Sequence, residues 1–182
     1  MPIETGSHQL GPDNGSLEVR TFREGMASKV GHDLIIEVRA WEGTLAIAED
    51  PAQSTLALSA DPRSLHVREG LHGLKPLSDK DRAEIRKNID EKVLGAHSIT
   101  LRSGHLELAG DGNRLSVHGN LTMAGNTRPI SAQLDVDPGG RVTGTIPLTQ
   151  SEWGIKPYRG LMGALKVRDS IEVALDVHLP SR

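Results

Sequence analysis

The stretch that decides the fold is Leu165-Lys166-Val167-Arg168-Asp169-Ser170-Ile171-Glu172-Val173-Ala174-Leu175-Asp176-Val177-His178-Leu179. Leu165, Val167, Ile171, Val173, Leu175, Val177 and Leu179 fall on one phase of a period-two pattern. Lys166, Arg168, Ser170, Glu172, Asp176 and His178 fall on the other. Successive side chains of a strand point to opposite faces, so this reads as a strand with one face in a core and the other in water. Only Asp169 breaks the apolar phase, and a carboxylate there suits a turn.

Working outward, the same alternation returns along most of the chain. Leu17, Val19 and Thr21, with Phe22 off phase, read as a first strand after a turn at Gly11–Gly15. Leu34, Ile36, Val38 and Ala40 read as a second. At Trp41-Glu42-Gly43 the register flips and Leu45 and Ile47 carry the apolar set, which predicts a bulge or a bend at a barrel corner near the glycine. Leu56, Leu58 and Ala60 follow; Pro62 interrupts before Leu65 and Val67 resume. Ile99 with Leu101, Leu106 with Leu108, and Leu115, Val117, Leu121 and Met123 continue the series. Residues 124–129 read as a connection, Ile130 to Val136 alternate strictly, and Asp137-Pro138-Gly139-Gly140 signals a hairpin. Val142, Gly144, Ile146 and Leu148 then lead into a glycine-rich connection from Trp153 to Gly163. Eight or more short strands in one chain of 182 residues predict a single, mostly β domain, an antiparallel sandwich or barrel.

One helix interrupts the strands. After a loop at Gly70–Leu77, residues 78–94 carry Ile85, Ile89 and Val93 on one face. Ser78 with Asp81 resembles a capping box, and Gly95 stands where a helix end favours glycine. Its charged side, with Lys80, Arg82, Glu84, Arg86 and Lys87, suits a solvated face over a barrel end or side.

Composition narrows the function. A formal net charge of −3, with no basic stripe, argues against a nucleic-acid footprint. The aromatic set is Phe22, Trp41, Trp153 and Tyr158, so any interior is aliphatic and a poor platform for stacking bases. There is no cysteine, no signal-like N-terminus and no run long enough to cross a membrane as a helix, which leaves a cytoplasmic protein without stable membrane insertion as the expectation. The histidines, His66, His72, His97, His105 and His118 among them, lack metal-ligand spacing, and no metal or other cofactor is expected. Ser64, Ser98, Ser103 and Ser116 sit in no nucleophile elbow. Asp33 and Asp169 flank strands and read as turn-fixing carboxylates. No catalytic constellation emerges, and the expected class is not an enzyme.

Four motifs in order resemble one family: Val30-Gly31-His32-Asp33-Leu34 leading into Trp41-Glu42-Gly43-Thr44-Leu45; Val117 to Ile130; Ser151-Glu152-Trp153-Gly154-Ile155-Lys156-Pro157; and Gly163 to Asp169. Together they resemble the YceI-like, polyisoprenoid-binding proteins of bacteria over nearly the whole chain. That resemblance implies an extended, antiparallel, lipocalin-like barrel around a long isoprenoid, such as a polyprenyl diphosphate or a quinone tail. Small barrels of about eight strands can enclose one such ligand.

The inward phase nominates Ile36, Val38, Leu45, Leu56, Leu58, Leu121, Met123, Leu134, Ile146, Val173, Leu175 and Val177 as the wall of a cavity, or equally as a solid core. Trp153 and Tyr158 are candidates to close the barrel mouth. Lys156 and Arg159, with His32, are candidates for a diphosphate or quinone headgroup. The expected function is binding, sequestration or transport of a polyisoprenoid. Two rivals stand beside it: a stress-related interaction protein with a filled barrel, and a hydrolase or isomerase acting on the lipid through Asp169 and a histidine. A homodimer is compatible with either.

Overall fold

The alternating C-terminal stretch forms two strands parted at Arg168 and Asp169 in the computed structural model, which describes residues 3–179. In chain order the strands are β1 (Gly6–Leu10), β2 (Gly15–Thr21), β3 (Arg23–Glu24), β4 (Asp33–Val38), β5 (Trp41–Ile47), β6 (Thr55–Ala60) and β7 (Leu65–Leu71). Helix α1 (Asp79–Asn88) follows, then β8 (Ile99–Leu108), β9 (Arg114–Met123), β10 (Asn126–Val136), β11 (Arg141–Thr149), β12 (Arg159–Gly160), β13 (Leu165–Val167) and β14 (Ser170–His178). Eleven strands make one antiparallel sheet in the order β1-β5-β6-β8-β9-β10-β11-β14-β2-β4-β7. It curls into an open, lipocalin-like barrel. Strands β12, β13 and β3 form a small second sheet.

Several local readings are corrected. The first strand is β1, not the run at Leu17. Its Gly-Ser-His-Gln-Leu sequence buries only Leu10, so periodicity had little to detect, and it holds its place by pairing with β5. The register flip at Trp41 is a corner: β4 lies between β2 and β7, whereas β5 lies between β1 and β6. The bend falls at Arg39 and Ala40, whose backbone bonds to Ser64 and Asp61. Gly43 is not the bend but a buried floor, where a Cβ would come within 2.2 Å of the Leu58 side chain.

The two short runs around Ser103 are one strand, β8, with a bulge between Arg102 and His105. The buried Ser103 hydroxyl donates to the His118 carbonyl at 2.5 Å and satisfies the interrupted ladder. Residues 126–129, read as a connection, belong to β10. The turn is only Ala124-Gly125, both at positive φ (50° and 79°), a two-residue reversal whose twist matches the flanking strands.

The edge strand β7 is protected by the helix rather than by another strand. Arg82 donates to the carbonyls of Val67 (2.8 Å) and Arg68 (2.7 Å), and Arg86 donates to Arg63 at 2.6 Å. These arginines, assigned from sequence to a solvated face, instead satisfy acceptors along an exposed strand edge (Arg82) and in the turn that leads into it (Arg86). Ser78 and Asp81 form the expected capping box.

Interior side chains are distributed unequally along the barrel. Ile3, Leu10, Leu45, Leu106, Leu115, Val136, Val142, Val177 and Leu179 pack one end solid. The strand registers place Ile171 and Val173 of β14, Ile146 of β11 and Ile130 of β10 toward the other end. There the barrel is hollow.

Candidate functional site

The hollow end exists because its inner wall mixes branched aliphatics with small residues, Ala60 and Ala132 among them, and because a helix roofs it without filling it. After Asn88 the helix widens into a π-helical turn, Ile89–Leu94, before Gly95 ends it at a φ of 65°. Such turns bring residues five apart into line. Ile89, Val93 and Leu94 thereby all face the cavity, with Ile85 further out.

The inner chamber has a volume of about 190 Å³. Ten of the twelve nominated wall residues line it: Ile36, Val38, Leu56, Leu58, Leu121, Met123, Leu134, Ile146, Val173 and Leu175. Leu45 and Val177 do not; they lie in the solid end, because their strands run on past the hollow. Trp41, at the corner, adds an aromatic edge to the wall. The polar groups on this surface are Ser59, Thr21 and Gln150. Gln150 is buried and donates to the Arg168 carbonyl at 3.0 Å, while the buried Thr21 hydroxyl has no hydrogen-bond partner among the described residues.

Thr21, Gln150, Ile36, Ile89 and Val93 also line a second, outer space of about 580 Å³. These five residues form a neck. Beyond it the lining turns amphipathic: Leu34, Leu74, Leu77 and Leu165 alternate with Arg23, Lys75, Lys166, His32, Tyr158, Asp81 and Glu84. An aliphatic chamber thus opens past Thr21 and Gln150 in the neck into a charged mouth.

The mouth is held by long-range contacts. His32 pairs its Nε2 with the Lys75 carbonyl at 2.6 Å, and the Gly73 backbone lies so close to the ring that a Cβ there would sit 2.0 Å from Nε2. Arg23 donates to the carbonyls of Gly31 (3.1 Å) and His72. Asp33 accepts from the Arg23 backbone N–H at 2.8 Å and from His72 Nδ1 at 2.7 Å. Burial works against the charged form of Asp33, but the Arg23 N–H, the His72 ring and the positive charges nearby outweigh it. They hold the carboxyl below its usual range. Lys92, at the end of the helix, lies 5.6 Å from the Tyr158 ring centroid and bridges the two sides of the opening.

The other nominated residues lie elsewhere. Trp153 is not at the mouth: it is 1% exposed and donates its indole N–H to the Leu121 carbonyl at 2.9 Å. Lys156 and Arg159 are exposed outside the mouth lining, which draws its cations from Arg23, Lys75 and Lys166 instead. Sequence reading missed these three because Arg23 and Lys75 stand in segments without a periodic signal, while Lys166 falls on the polar phase that reads as solvent-facing. Asp169 accepts from Ser151 N (2.8 Å) and Oγ (2.6 Å), a turn-fixing role; at the mouth the carboxylate paired with a histidine is Asp33. His118 meets Ser131 at 2.9 Å on the exposed face of the sheet, away from the cavity. Among the described residues no group of three or more His, Asp or Glu side chains is placed to hold a metal ion.

A YceI-like domain model matches residues 18–179, all of the large sheet except β1 and the start of β2. The structure of BcnA from Burkholderia cenocepacia superposes with a TM-score of 0.65 at 14% identity, covering 92% of this chain and 96% of that one. A YceI protein from Campylobacter jejuni superposes with a TM-score of 0.51 at 11% identity, covering 81% and 85%. At these identities the likeness is one of fold. No curated protein sequence matches the chain.

Proposed function

Because the chain belongs to the YceI-like family, we propose that it binds a long-chain polyisoprenoid, or a closely similar amphiphilic lipid, and sequesters or carries it. One observation supports this reading above the others. The barrel is solid at one end and hollow at the other, and the hollow end passes from aliphatic wall to charged mouth, which matches the polarity of a prenyl tail with a polar head.

The dimensions suit one way for such a ligand to sit. The inner chamber is only slightly larger than the roughly 150 Å³ dry cavity that admits a benzene-sized guest. It takes the tail end, and the chain runs out through the neck into the mouth. Each buried methylene contributes about 0.8 kcal/mol before the costs of ordering, so a few prenyl units supply useful affinity with little polar contact. Thr21 and Gln150 offer hydrogen bonds where the chain turns polar. Arg23, Lys75 and Lys166 suit a diphosphate, and His32 and Tyr158 suit a quinone carbonyl. The reading is one of binding, with no step of bond making assigned.

Native mass spectrometry of the purified protein, followed by organic extraction, tests it. A stoichiometric co-purifying isoprenoid is the expected result. A chain that is empty, and whose melting temperature added polyprenyl lipids do not raise, would overturn the reading and return the filled-barrel interaction protein to first place.

A further inference from the structure

Six large hydrophobic side chains are exposed among the described residues: Met26 (98%), Val30 (50%), Leu71 (39%), Leu74 (72%), Leu161 (61%) and Met162 (108%). All six belong to three segments that frame the mouth. The tip of the small sheet brings two of these segments together, since Ala27 N donates to the Ala164 carbonyl at 2.9 Å and Gly25 packs on the same carbonyl. The third is tied to them by the contacts of His32 with Lys75 and of Arg23 with His72. Leu161 and Met162 occupy left-handed backbone at φ of 48° and 56°, where Gly or Asn costs less. The chain thus carries bulky apolar groups at the very tip of a tight turn.

The charge of the same segments is unlike that of the chain. Residues 23–33, 71–77 and 156–169 hold seven Lys and Arg, Lys29, Lys75, Arg159 and Lys166 among them, in a protein of formal net charge −3. Their acids are Glu24, Asp33 and Asp169, and the two aspartates are turned inward onto the backbone N–H groups of Arg23 and Ser151. Asp79, Asp81 and Glu84 belong to the helical side of the mouth, so the loops form the contact edge.

We propose that this rim is a peripheral membrane-docking surface: its apolar tips enter the headgroup region of an anionic bilayer while the surrounding lysines and arginines meet the lipid phosphates, placing the cavity mouth against the membrane. Apolar side chains ringed by cations are what interfacial binding requires, since the apolar groups enter the headgroup boundary while the basic groups are drawn to an anionic surface. A second copy of the chain fits the rim less well, because a mouth-to-mouth dimer would oppose two positive edges. The inference rests on the carrier reading only for its purpose; the docking itself needs no ligand.

The test is co-sedimentation of the whole protein with vesicles of phosphatidylcholine alone, or of phosphatidylcholine with phosphatidylglycerol, neither containing an isoprenoid. Wild type is expected to bind the anionic vesicles, to bind them less at high salt, and to leave the neutral ones largely unbound. The double variant Met26→Glu, Met162→Glu, at fully exposed positions, is expected to bind at least about tenfold more weakly with an unchanged melting temperature. Ala132→Phe, which blocks the inner chamber, is expected to dock like wild type. Absence of binding to either vesicle, or indifference to the double variant, would overturn the proposal. So would loss of docking in Ala132→Phe, which would show that the sedimented protein was taking lipid chains into its cavity. Mass doubling in solution, abolished by the double variant and without vesicle binding, would replace the membrane by a second copy.

Discussion

His72 Nδ1 lies 2.7 Å from the Asp33 carboxylate, joining the end of one edge strand to the start of its neighbour across 39 residues of sequence. The same carboxylate caps the backbone N–H of Arg23, whose guanidinium reaches back to the His72 carbonyl. One aspartate therefore anchors two of the three segments that frame the cavity mouth.

This anchor has a defined pH dependence. The Asp33 carboxyl is held below its ordinary value of 3.8 in the folded chain, so the unfolded chain binds its proton first as pH falls. Its contribution to stability is fully present above 3.8 and is lost as pH drops through the folded value. Thermal melts of wild type and Asp33→Asn are expected to differ most near neutral pH and to converge in the acid range below 3.8. A difference that stays constant across that range would show that the carboxylate's charge contributes nothing.

Trp153 is a structural residue, whatever its place in the resemblance to a family. Trp153→Phe removes volume from a site that is 1% exposed and leaves the Leu121 carbonyl without its donor. The expected loss is about 2–4 kcal/mol, read from the midpoint of urea unfolding.

Trp41, by contrast, touches the inner chamber and reports on it. Entry of a prenyl alcohol is expected to shift the fluorescence of wild type and to leave that of Trp41→Phe nearly unchanged. An equal response in both proteins would place the ligand elsewhere.

Ala132→Phe puts a ring into the inner chamber, where its neighbours are aliphatic. The melting temperature is expected to change little, because filling a void offsets part of any strain. Prenyl-lipid binding, followed by native mass spectrometry, is expected to fall below detection. Retention of full affinity would mean that the outer space alone holds the ligand.

Arg82→Ala separates the roof from the wall. It strips donors from the Val67 and Arg68 carbonyls on an edge strand, at an expected cost of about 1.5–3 kcal/mol. Amide exchange is expected to quicken first in residues 89–94, the π-helical turn over the neck. Uniform quickening throughout the barrel would contradict a local role.

Much of this molecule was legible in its residues. Alternation from Ile171 to Leu179 and from Ile130 to Val136 specified strands and their buried phase, because a pleated chain with one face in a core can be built in no other register. Ser78, Asp81 and Gly95 specified both ends of the helix, since capping is local chemistry. What failed was non-periodic or non-local. β1 has too few apolar residues to signal itself and exists by pairing; the Ala124-Gly125 turn hides in a backbone angle; Arg82 and Arg86 have the composition of a solvated face but meet a strand edge. The family resemblance, too, was carried by short motifs that survive in sequence. Which inward residues surround space and which surround one another was decided by the tertiary structure alone. Leu45 and Leu58 are indistinguishable as letters in alternating strands, yet one packs the closed end and the other faces the hollow. Burial of apolar surface dictates that both turn inward; only the path of the curled sheet, and the height at which the helix crosses it, determines what each one meets there.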